Sequence, residues 1–200
     1  MPQVTAIGRR FVGVALIALG MTGGLGLSAA RAQDTDQLAG GPVVALANGQ
    51  AIVATPTGPV TVQLEPDTRY EMDSPGTLAD VQPGEVVGVT GHPENGELTA
   101  VEIHVFPTLL NIRQAQTQMT GANAGNLMTN ARVESFANGV LTLNLAGQLI
   151  PINTSPATSV THPVPVGPDS VQQDSRIAAS GPVGPDGVIQ ARVVWIPALH

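Results

Sequence analysis

The chain has no cysteine and no lysine, and its 200 residues include one tryptophan, one tyrosine and three phenylalanines. Each absence excludes something. Without thiols there is no disulfide to staple the fold and no N-terminal cysteine to carry a lipid, so the core must hold by burial alone. Beyond residue 32, five arginines (Arg69, Arg113, Arg132, Arg176, Arg192) stand against fifteen Asp and Glu, a net charge of −10 compared with −7 for the whole chain. Nucleic acid and anionic membrane surfaces repel such a chain. Tyr70, Phe106, Phe136 and Trp195 are too few to form stacking platforms for sugars or single strands. Trp195 is expected as a core plug or a residue at a barrel mouth.

Catalytic patterns are missing as well. There is no Gly-x-Ser-x-Gly elbow and no phosphate or dinucleotide loop, so the expectation is a non-enzymatic protein with no cofactor. Nothing beyond residue 32 keeps a 3.6-residue apolar period over ten residues. Sixteen prolines and seventeen glycines in that span predict short strands and many turns.

The N-terminus reads as a secretory signal. Arg9 and Arg10 precede the apolar stretch from Phe11 to Leu27, and Ala30-Arg31-Ala32 forms a small-x-small cleavage site before Gln33. The apolar stretch holds five glycines and is marginal for spanning ~30 Å of hydrocarbon. The expectation is therefore a signal peptide over residues 1–32, a periplasmic location and no stable membrane insertion after cleavage.

What the chain does contain is a pattern stated twice. "ALANGQAIVATPTGPVTVQLEPDT" (45–68) aligns with "SFANGVLTLNLAGQLIPINTSPAT" (135–158) at a shift of 90 residues. "VQPGEVVGVTGHPENGELTA" (81–100) aligns with "VQQDSRIAASGPVGPDGVIQA" (171–191) with one residue inserted. Asn-Gly and Asp-Gly recur at matched places between alternating runs, which marks hairpins. Each copy reads as a three-stranded meander, a longer connection and a closing hairpin. Five short strands in that order predict an all-β fold of two tandem five-stranded OB-like β-barrels. The expected layout is a disordered segment over 33–42, one barrel over 43–107, a connector over 108–126 with one or two helical turns, and a second barrel over 127–197. A unit of this size is marginal alone, so duplication is expected to supply stability.

"LADVQPGEVVGVTG…NGELTAVEIHVFP" (78–107) and "LMTNARV" (127–133) resemble an exported bacterial family described as a domain of unknown function, 5666. The resemblance implies a signal peptide and two β-rich repeats. It implies nothing about chemistry.

Histidine is the remaining place to look. His92 sits in the tip "GHPENGE" beside Glu94 and Glu97, and Glu102 and His104 lie two apart in a strand, on one face. Imidazole with carboxylates suits Zn²⁺ or Cu²⁺, although zinc sites normally show three or four ligands at recognisable spacing. Two expectations follow. One is a periplasmic protein that binds an envelope protein or a small ligand; the other is a metal-handling protein using His92, Glu94, Glu102 and His104.

Overall fold

A computed structural model describes residues 36–94 and 96–198. The signal peptide expected over residues 1–32 lies outside those residues. The described chain is all-β, with twelve strands and three short 3-10 turns. The strands are β1 (Gln37–Ala47), β2 (Gln50–Thr55), β3 (Gly58–Gly76), β4 (Val86–Glu94), β5 (Glu97–Val105), β6 (Ala115–Gln118), β7 (Leu127–Ala137), β8 (Val140–Leu145), β9 (Gln148–Asn153), β10 (Ser159–Pro165), β11 (Arg176–Gly181) and β12 (Ile189–Ile196).

Local chemistry sets the hairpins. Asn48 and Gly49 join β1 to β2 with φ of 52° and 73°, and Asn138 and Gly139 join β7 to β8 with 53° and 77°. Positive φ at both central residues gives the turn whose twist matches paired strands. Alternation then sorts the faces: Ala51 and Val53 are buried on β2, and Leu141 and Leu143 on β8, while Gln50 and Ile52 point outward.

Five strands close into a barrel. The order β12-β11-β1-β2-β3 is completed by a parallel ladder in which Ile189–Ala191 pair with Val62–Leu64 and Val193–Ile196 with Arg69–Met72. Its core holds Val43, Val53, Val62 and Tyr70 together with Ile177, Ala179, Ile189 and Val194. Five of the remaining seven strands follow the order β5-β4-β7-β8-β9, with β10 beside β5 and β6 beside β7, and β9 meets β5 again through Leu98–Ile152 and Thr99–Asn153. A separate core lies there, built from Val87, Val89, Ile103 and Val105 with Val133, Leu141, Leu143 and Ile152.

These cores correct the expected layout. Residues 43–107 do not close on themselves, and neither do residues 127–197. The β4–β5 hairpin joins the strands β7–β9, and the β11–β12 hairpin joins β1–β3. The reason lies in β3, whose 19 residues run about 60 Å when extended. It passes the first core and pairs antiparallel with β10 from Glu71–Pro165 to Gly76–Val160. The chain is thereby delivered to the second core before β4 begins. Of the connection expected over Glu65–Pro83, the stretch Glu65–Gly76 is strand for that reason.

Two further expectations change. Residues 37–42 are ordered, because each pairs with β11 and Ala39 is buried. The connector has no helical turn at Thr108–Met119; it contributes β6, which pairs with β7, and a 3-10 turn at Gly121–Asn123.

Candidate ligand-binding cleft

The β5 run "EIHVF" alternates, so Ile103 and Val105 enter the core while Glu102, His104 and Phe106 share the opposite face. On β12, Val193 and Trp195 share a face and pack with Leu110, and Phe106 joins this small third cluster. Phe106 meets Trp195 edge-to-face, with ring centres 5.4 Å apart and planes at 88°. That geometry sets the positive ring edge against the negative face.

Asp73 ties the face together. It stands near the end of β3, opposite Pro163 of β10, and its side chain is fully buried. Trp195 Nε1–H donates to Asp73 Oδ1 at 2.8 Å, and the Ala198 N–H donates to Oδ2 at 3.1 Å. His104 Nδ1 lies 3.5 Å from Asp73 Oδ2 and 2.8 Å from Thr161 Oγ1, and its Nε2 lies 3.3 Å from Glu102 Oε2. Burial pulls the imidazole pKa down; the hydrogen bond to Asp73 and the charges of Glu102 and Asp73 outweigh it, so the group titrates above its ordinary value. A cationic His104 between two carboxylates needs no outside counter-ion.

Beside this cluster opens a cleft of about 290 Å³, walled by Phe106, Met128 and Trp195 and closed by Pro197 and Ala198. His104 and Asn130 supply its polar edges. Asn130 Oδ1 is buried and accepts no hydrogen bond, a state that costs roughly 1–3 kcal/mol. Gly88 makes the space. A Cβ there would sit 2.8 Å from Phe106 Cζ and 3.0 Å from Asn130 Oδ1.

A larger groove of about 640 Å³ runs along Leu64–Glu71 and Pro165–Pro168. Burial raises the pKa of both Tyr70 and Glu71, while the Arg69 guanidinium pulls Glu71 back down. Its cation and carboxylate thus answer each other, and no unpaired buried side-chain atom lies in it among the described residues. The smaller cleft is the better candidate on chemistry.

The fold brings Glu102 and His104 together, as their spacing predicts. The four-residue set is corrected for the other two. His92 Nδ1 lies 2.9 Å from Asn126 Oδ1, and Glu94 faces Glu97 at the hairpin tip. Both are roughly 15–25 Å of strand from His104. Among the described residues no group of three or more His, Cys, Asp or Glu is arranged to hold a metal ion. Asp73 and Asn130 carry no local signal in the sequence. Trp195 does carry one, since the 81–100/171–191 alignment, carried onward, sets it against His104. The two aligned positions meet at one carboxylate.

Residues 40–104 match the family model described as "Domain of unknown function (DUF5666)". No curated protein and no solved structure matches the chain.

Proposed function

We propose, for a chain that carries a domain of the DUF5666 family across residues 40–104, a non-enzymatic binding protein exported to the periplasm. In this reading the molecule is a duplicated pair of OB-like barrels, and its ligand sits in the cleft beside Trp195. The ligand is a small molecule, or the side chain of an envelope partner, with an apolar body and one N–H or O–H donor. The observation that carries the reading is the buried, unanswered Asn130 Oδ1 at the edge of an aromatic-walled cleft. A donor placed there recovers a missing hydrogen bond while the body displaces water from Phe106, Met128 and Trp195. His104 is fastened on both nitrogens, which suits a positioning group better than a proton shuttle.

Trp195 is the only tryptophan, so its emission reports the cleft directly. Titration with a panel of small aromatic and aliphatic amides, amines and alcohols should give a saturable change. Asn130→Leu, which keeps the branched heavy-atom shape and removes the acceptor, should weaken binding about tenfold. A panel without a binder, or equal affinity in the variant, counts against this site.

A metal-handling reading draws on the approach of Glu102 and Asp73 to His104 within 3.5 Å. It requires Zn²⁺ or Cu²⁺ to displace Thr161 and both carboxylate contacts from the ring. Calorimetric titration showing micromolar uptake that His104→Ala abolishes would favour it over the organic ligand.

A further inference from the structure

We propose that each half of this chain is a hairpin-donating association module whose partner is a second such module, and that the molecule is a fused, exchanged pair. The proposal rests on the repeat reading, and not on the ligand assigned to the cleft. Its ground is a set of cross-half contacts that come in matched pairs under the repeat alignment, a shift of 90 residues that becomes 91 beyond the inserted residue. Val43 N–H donates to Ser175 O and Asp174 N–H to Val43 O; correspondingly Val133 N–H donates to Glu85 O and Gly84 N–H to Val133 O, all at 2.8 Å. Thr68 Oγ1–H donates to Ala191 O at 2.7 Å, and Thr158 Oγ1–H donates to Ala100 O at 2.9 Å. The parallel ladders match too: Ile189 pairs with Val62 as Leu98 pairs with Ile152, and Val193 pairs with Arg69 as Glu102 pairs with Ser159.

Every one of these contacts runs between halves. Each meander is closed by the other half's hairpin, as two identical subunits would close one another across a two-fold axis. That axis falls where β3 and β10 cross, since Asp73 pairs with Pro163, its own counterpart at the 90-residue shift. Such an interface is isologous, and both hydrophobic cores belong to it. The covalent connector is therefore dispensable to association. Its turn at 121–125 is fully exposed and enters neither of the two large cores.

The test cuts the folded protein. A site-specific protease sequence inserted in the full chain within Gly121–Gly125 is cleaved under native conditions. The expected product elutes as the uncut protein does, and its two fragments part only in denaturant. Fragments that elute separately in native buffer would overturn the proposal. A second readout uses Gly40→Cys with Ala178→Cys, on β1 and β11. A Cβ built at Gly40 lies 4.0 Å from Ala178 Cβ, inside the range for a disulfide, and the chain offers no competing thiol. After oxidation and cleavage, a non-reducing denaturing gel should show the fragments linked until reductant is added. Unlinked fragments from folded, oxidised protein would sink the idea. The elution test needs no cysteine and stands if that variant misfolds. Neither readout involves a ligand, so a negative Trp195 titration leaves it intact.

Discussion

Asp73 answers three donors from two separate stretches of chain: the Trp195 indole and the Ala198 amide at the C-terminal end of β12, and the His104 imidazole on β5. A buried carboxylate is tolerable because its partners are fixed in place. His104 is the partner whose protonation couples to this carboxylate. Its folded pKa stands above the ordinary 6.5, so the stability it contributes is fully present below about pH 6.5 and fades as pH rises through the folded value. Urea unfolding followed across pH 6 to 9 should show that decline, and His104→Gln should flatten it. An unchanged slope in the variant would show that the ring is not coupled to folding. None of this is legible around residue 73 in the sequence, where "EMDSPG" reads as a solvated connection. The Glu102–His104 half of the cluster was legible, because two residues apart in a strand always share a face.

Strands and hairpins reveal themselves more readily, and their limits are instructive. Gly91 and Gly181 align with each other, yet their surroundings differ. A Cβ at Gly181 would come within 1.8 Å of the Gln190 carbonyl oxygen, which is backbone, whereas one at Gly91 makes ordinary contacts, with the Leu98 side chain at 3.6 Å and the Thr99 carbonyl oxygen at 3.9 Å. Gly181→Ala must therefore force β11 away from β12 and cost roughly 1–3 kcal/mol or more, while Gly91→Ala should cost less than about 1 kcal/mol. Comparing urea midpoints tests this, and equal shifts would contradict the geometry. The Asn-Gly turns placed the meanders correctly because a type I′ turn is chosen by the residues within it. The connector was harder to read. "TLLNIRQAQTQM" has helical apolar spacing at its start, but Ala115–Gln118 gain more by lying beside β7, where their backbone groups are paired.

At the scale of the whole molecule, the exchange of hairpins makes two cores one cooperative body. Damage in either core has to be felt in the other, because opening one withdraws a hairpin's anchor from its neighbour. Leu141→Ala removes a fully buried side chain from the core that excludes Trp195. The expected loss is about 2–5 kcal/mol, and the transition reported by Trp195 emission should fall in step with the far-UV circular dichroism transition. A Trp195 transition left at the wild-type midpoint would show that the cores melt independently.

The sequence alone determined the all-β character, the hairpin turns, the face each residue presents and the acidic surface, because these depend on neighbours a few positions away. Only the tertiary structure decided which core each closing hairpin completes and which side chains meet at Asp73. Backbone ladders bond without regard to residue identity. The choice therefore fell to the reach of β3, whose length carries the chain past its own core before the next hairpin forms.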